Sequence, residues 1–207
     1  MSARILVLAV AAALLAAPVR AHDHSAAPQV DGAAPAAEKN TLPRGERARA
    51  YFTDLPVVTE DGERRRFYSD VLQGRTVLVS LFYTSCEEAC PLVNAKIADV
   101  QDLLGERVGR DMLLVSLTVD PETDTPAVLK AYARRFEAGP GWLFLTGTKE
   151  DIRTLVGRFG QRSDDPADHV AAMFVGNVDK GRWRRLPPMA THEEIAEFLR
   201  AFADAPG

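Results

Sequence analysis

The chain has 207 residues, a formal net charge of −4 and two cysteines; 46 % of its residues are hydrophobic and 26 % charged. These figures exclude a disulfide-rich scaffold, an all-cysteine zinc module and a basic nucleic-acid binder. They fit an ordinary globular domain better than a disordered chain.

In chain order, residues 1–21 carry an early Arg4, thirteen apolar residues over 5–17 and the small-residue end Val19-Arg20-Ala21. This three-part pattern reads as a secretory signal peptide. A retained membrane anchor is the alternative, although thirteen residues fall short of the roughly 20 that span a bilayer. Cleavage after Ala21 removes Arg4 and Arg20, leaving 23 Lys+Arg against 29 Asp+Glu and a charge of −6. It also leaves His22-Asp23-His24 as the new terminus, where a free amine and a third-position imidazole can wrap Cu(II) or Ni(II). Export would place the two cysteines where they can be oxidised. Residues 22–50 are read as a linker: thirteen of the 26 residues over 25–50 are Ala, Pro or Gly, with Val30 and Leu42 as the large aliphatics. Such a composition buries too little apolar surface to offset its ordering entropy.

One globular domain is expected over 51–204. Residues 52–58 and 65–68, joined through Asp61-Gly62, read as a hairpin. The run TVLVSLFY over 76–83 suits a strand buried on both faces. Apolar residues at 93, 97, 100 and 104 give a helix over 91–104 that stops at Gly105. A second buried strand is expected over 112–119, and a helix over 125–136 opened by Thr125-Pro126. A strand over 142–145, a helix over 149–159, a strand over 170–178 and a helix over 193–202, with Thr191 or His192 near its start, complete the pattern. Strands alternating with helices predict an α/β fold with a mixed, largely parallel central sheet.

Both cysteines fall within Cys86-Glu-Glu-Ala-Cys90-Pro91, between the first buried strand and its helix. Proline disfavours helical backbone at the residue before it, which predicts Cys90 at the N-cap and Pro91 as the first helical residue. The partial positive charge of a helix N-terminus lowers a thiol pKa, while Glu87 and Glu88 oppose it. A thiolate serves redox exchange and metal binding alike, so the pair by itself does not choose between them. Of the four histidines, His169 directly precedes the last strand. If it projects toward the loops at the C-terminal ends of the parallel strands, two thiolates and an imidazole form a soft three-ligand site suited to Cu(I). A structural zinc would want a fourth protein ligand. His192 is expected at the surface and Met173 in the core; Met173 and Met189 are otherwise soft ligands in principle.

These residues resemble the Sco (SenC) family of copper chaperones, which have a thioredoxin-like fold. The likeness runs through most of residues 51–200. It is carried by Phe82-Tyr83-Thr84-Ser85-Cys86 with Cys90-Pro91, by the run Val119-Asp-Pro-Glu-Thr-Asp-Thr-Pro126, by Leu145-Thr-Gly-Thr148 and by Asp168-His169. The resemblance implies copper bound by Cys86, Cys90 and His169, and delivery of that copper to cytochrome c oxidase subunit II or another copper protein, with a copper donor protein upstream. The acidic net charge predicts no nucleic-acid partner. Some members act instead as thiol–disulfide oxidoreductases that reduce a target's cysteines, with Cys86 and Cys90 as the redox-active pair. Asp120 holds the position of an acidic residue near the family's site, and it reads equally as a turn residue. Many members have proline directly after the first cysteine, where this chain has Glu87. The expected localisation is exported, periplasmic or membrane-tethered through the N-terminus. A thioredoxin-superfamily peroxidase has no further feature in its favour.

Overall fold

The two most apolar runs become the innermost strands of a seven-stranded sheet. The computed structural model describes residues 44–163, 165–168 and 171–206. The N-terminal run, His22, His24, His169 and Val170 lie outside them. Among the described residues no helix is long and apolar enough to cross a membrane.

The elements are α1 (Arg44–Phe52), β1 (Pro56–Thr59), β2 (Arg64–Arg66), a π-helical turn (Phe67–Leu72), β3 (Thr76–Phe82), α2 (Ala89–Leu104), β4 (Met112–Thr118), α3 (Pro126–Arg134), β5 (Trp142–Thr146), α4 (Lys149–Arg158), β6 (Met173–Asn177), β7 (Arg182–Arg185) and α5 (His192–Asp204). The sheet order is β2-β1-β5-β4-β3-β6-β7. Strands β3, β4 and β5 run parallel. The hairpin β1–β2 adds to β5 antiparallel, and β6 and β7 extend the other side antiparallel. The sheet is mixed as expected, with its parallel part confined to the three central strands.

Local chemistry sets the helix boundaries. Thr125, Thr148 and Thr191 each cap a helix by accepting an N–H three residues on, from Val128, Asp151 and Glu194. Glu194 returns a bond to the Thr191 N–H at 2.9 Å, completing a capping box. Gly105, at φ +53°, ends α2 in a left-handed conformation that other residues adopt at a cost.

Every residue of β3 and β4 is buried, and their alternating side chains feed two cores. On one face Leu78, Phe82, Leu114 and Phe144 pack with α2, α3 and α5. On the other, Val77, Val79, Val115 and Leu145 pack with α1, α4 and the π-helical turn. Each fully buried large side chain contributes about 1.5–3 kcal/mol.

Three features differ from the sequence reading. Helix α1 takes up the last seven residues of the segment read as a linker, because Phe52 at its end is buried against Phe159 and Trp183. The arginine-rich β7 pairs along β6 although its pattern is polar. Helix α2 begins at Ala89 rather than at Pro91. The first four helical N–H groups have no partner within a helix, so proline at the third helical position removes no bond. Burial of Cys90 in the α2-side core offsets the steric bias that proline places on it.

Candidate metal centre

The C-terminal end of β3 delivers the chain into the loop that carries Cys86. The ladder reaches its last rung where the Val119 N–H donates to the Phe82 carbonyl at 2.8 Å. Beyond it, Asp124 holds the loop. This carboxylate has no solvent exposure and accepts from the Thr84 N–H at 3.2 Å and from the Thr84 and Thr118 hydroxyls. Burial pushes its pKa up, and the threonine hydrogen bonds counter part of that rise. The sequence reading gave Asp124 no role and read Asp120 equally as an acidic residue near the site and as a turn residue. Asp120 does form a turn: its backbone carbonyl accepts from the Asp124 N–H at 2.9 Å and its carboxylate from the Thr123 N–H at 3.4 Å.

The loop and the first turn of α2 bring Cys86 and Cys90 together as free thiols. The Cys90 N–H donates to Cys86 Sγ at 3.3 Å. Burial disfavours the Cys86 thiolate, but the Cys90 thiol and the backbone N–H groups of Cys90, Glu88 and Ala89 outweigh it and hold Cys86 below the usual thiol range. The expected opposition of Glu87 and Glu88 is muted, because both side chains are exposed while the Glu88 N–H favours the sulfur. Cys90 is the opposite case. It is 1 % exposed, and burial together with the Cys86 thiol pushes its pKa up to about 12. One sulfur is partly exposed and biased toward thiolate; the other is covered and biased toward thiol.

A closed polar network underlies Cys90. The Asn94 amide donates to the Cys90 carbonyl at 3.0 Å and to the Tyr132 hydroxyl at 3.4 Å. Its oxygen accepts from the Ser116 hydroxyl at 3.2 Å, and Ser116 accepts from Trp142 Nε1 at 3.0 Å. Satisfied buried networks of this kind fix one arrangement of a core. Asn94, Ser116 and Asp124 escaped the sequence reading. The available signals were an asparagine four residues after Cys90 and lone serines in two apolar strands.

The remaining candidates separate. Met173 is buried in β6, as expected. Met189 is 87 % exposed, on a loop tied to α2 where Lys96 Nζ donates to the Ala190 carbonyl at 2.6 Å. His192 is partly exposed at the start of α5, 3.0 Å from Glu193 and 3.8 Å from Asp99. His169 lies outside the described residues, but both of its flanks come to this end of the sheet. Asp165 acts electrostatically on the Tyr83 hydroxyl, and the Ala172 carbonyl accepts from the Leu81 N–H at 3.1 Å. Among the described residues no three His, Cys, Asp or Glu side chains converge. The two sulfurs are a soft donor pair that fits a soft metal.

The sequence pattern of the SCO1/SenC family matches residues 48–204. The chain belongs to this family. An SCO2-like protein from Rickettsia felis is 29% identical over 157 residues, which cover 71% of this chain and 74% of that protein. Among solved structures, copper-bound ScoI of Bradyrhizobium japonicum superposes with a TM-score of 0.60 at 26% identity, covering 71% of this chain and 96% of that one. BsSco, a member of the Sco family of cytochrome c oxidase assembly proteins with a disulfide switch, gives a TM-score of 0.62 at 24% identity over 75% of this chain and 94% of its own. At that identity the BsSco likeness speaks to the fold. In this SCO1/SenC chain the fold is therefore thioredoxin-like, with the cysteine loop at the end of a central strand.

Proposed function

We propose that this chain is an exported, copper-binding metallochaperone of cytochrome c oxidase assembly, holding copper through Cys86, Cys90 and His169. The observation that carries the reading is the junction of β3 and α2, where two thiols meet at one helix N-terminus and one of them is biased toward thiolate. Membership of the SCO1/SenC family and the copper bound in the similar ScoI support copper as the cargo. The flanks of His169 at the same end of the sheet support an imidazole as third donor. Two thiolates and an imidazole favour Cu(I), and transfer proceeds by ligand exchange to cysteines and histidines of the recipient, which we assign to subunit II. Oxidation to a Cys86–Cys90 disulfide removes both thiolates and with them the site. The apolar run over 5–17 supports export, with tethering if the run is retained.

Anaerobic titration of the reduced protein with Cu(I) tests this. Near-stoichiometric binding should be lost in Cys86→Ser and Cys90→Ser and strongly weakened in His169→Ala. An unchanged affinity in His169→Ala would rule out the three-ligand site.

The asymmetry of the thiols favours a second reading, thiol–disulfide exchange. The Cys86 thiolate attacks a target disulfide and forms a mixed disulfide; Cys90, once deprotonated, displaces the second target sulfur. The target gains two electrons and two protons as thiols, and this chain is left as the disulfide. That activity tolerates loss of His169, so the same variant separates the two readings.

A further inference from the structure

The face of the sheet opposite the cysteines carries a groove of about 770 Å³ between α1, the end of α4 and the β6–β7 edge. Its floor is aromatic. Trp183 lies 4.5 Å from Phe52 and 5.9 Å from Phe159, centroid to centroid. The indole lies directly over Gly176, where a Cβ would stand 2.3 Å from the ring, so glycine is what lets the ring lie against the β6 backbone. Trp183 Nε1 is buried and has no acceptor among the described residues. The rim is cationic: Arg47, Arg158 and Arg185 line the groove, and among the described residues no acidic one does. Among the described residues Arg158 and Arg185 have no carboxylate partner. Arg158 instead lies over the Tyr51 ring at 5.5 Å, whereas Arg184, alternating with Trp183 along β7, turns to the other face of the sheet over Phe198 at 4.6 Å. In a chain of net charge −4, this is a local reversal of sign.

We infer that this groove binds an anionic phospholipid, its phosphate held by the rim arginines and the start of an acyl chain lying on the Trp183–Phe159 floor. Guanidinium groups bind phosphate oxygens through paired N–H donors. The volume falls in the range of small-ligand pockets, whereas a protein partner ordinarily needs about 800 Å² of contact on each side. Aromatic side chains beside arginines are also the residues that sit at a membrane–water interface. In sequence, the first wall, α1, is the first described element after the apolar run of the N-terminus. The inference is independent of the copper reading, because the groove shares no residue with the cysteine loop.

The test is calorimetric titration of the full chain with dihexanoyl phosphatidylglycerol below its micellar concentration, with tryptophan emission recorded in parallel. Saturable binding is expected, with a change in emission from Trp183. Triple substitution of Arg47, Arg158 and Arg185 by Ala should weaken it at least tenfold while Cu(I) binding stays unchanged. The three side chains are at the rim, so the variant should keep its melting temperature; the triple Lys variant, which keeps the charge, should regain part of the affinity and covers the case where the Ala variant fails to fold. Dihexanoyl phosphatidylcholine, glycerol 3-phosphate and hexanoate separate the contributions of charge, headgroup and chain. Equal binding of phosphatidylcholine overturns the proposal, as does equal binding of glycerol 3-phosphate, which would make the groove a plain phosphate site. Equal binding of hexanoate, an unaffected triple Ala variant or no binding of phosphatidylglycerol overturns it as well.

Discussion

The two tryptophans of this chain stand on opposite faces of one sheet and are treated differently. Trp142 Nε1 donates to Ser116 inside a network that also takes in Asn94 and the Cys90 carbonyl. Trp183 Nε1, beneath the arginine-rimmed groove, has no acceptor among the described residues. Around Cys90 the cysteine face ties its polar groups into that network, and Cys86 carries the more exposed of its two sulfurs. The other face keeps a surplus of donors and cations on an aromatic floor. A closed network builds a reactive atom of fixed geometry, while a surplus of donors builds a receptor, and the sheet keeps the two apart.

Four substitutions or measurements can break or sharpen that separation. The largest effect is expected in alkylation at pH 8. A thiol with a pKa of about 12 is ionised there to roughly one part in ten thousand, and one below 9 to a tenth or more. Mass spectrometry after a limited iodoacetamide pulse should therefore find Cys86 modified about a thousandfold faster than Cys90, and equally so in the triple arginine variant. A ratio that shifts in that variant would join the two faces.

Next, Asp124→Ala leaves the Thr84 N–H and two threonine hydroxyls without their acceptor and should cost about 3 kcal/mol in urea unfolding. Asp124→Asn adds a pH signature. The folded carboxyl titrates above its unfolded value of 3.8, so the native state holds more protons in the window between the two values. Wild-type stability should then fall as pH rises through that window and level off above it, whereas Asp124→Asn should lack this component. A flat difference between the two across pH 4–7 would contradict the buried, raised carboxyl.

On the other face, Gly176→Ala drives a Cβ into the Trp183 ring and should cost about 2 kcal/mol by overpacking. It should abolish phosphatidylglycerol binding and leave the thiol reactivity ratio alone. The smallest effect belongs to Thr191→Ala, which removes half of a capping box on α5. It should cost about 1 kcal/mol in thermal melts and alter neither site.

Much of the cysteine face was legible before folding because its signals are local. Two cysteines share five residues, Thr125-Pro126 announces a cap, and 3.6-residue periodicity reveals α2. The start of α2 was misplaced by two residues because the steric bias of Pro91 is local, while the burial that overrides it comes from distant strands. Asp124 was hidden inside a run that reads as a turn and cap; only the fold shows that Thr84, forty residues away, donates to it. Helix α1 was missed because its small, charged composition has little to bury until Phe52 meets Trp183. The groove left no trace in the sequence at all, since Arg47, Arg158 and Arg185 come from three separate elements.

The pairing of β3 with β6 has a consequence for how the thiols come to be protected. Thr76 and Asn177, hydrogen-bonded in the finished sheet, are 101 residues apart in the chain. The core cluster that takes in Cys90 includes Met173, Leu186, Ile195 and Leu199, all made after it. At ordinary synthesis rates about 100 residues take roughly 5–20 s, and the topology gives a growing chain no earlier way to close that side of β3. Cys90, the least accessible sulfur of the native protein, therefore spends its first seconds as exposed as Cys86. The order in which this chain is made leaves both thiols open to oxidants and to metal until its last helix docks.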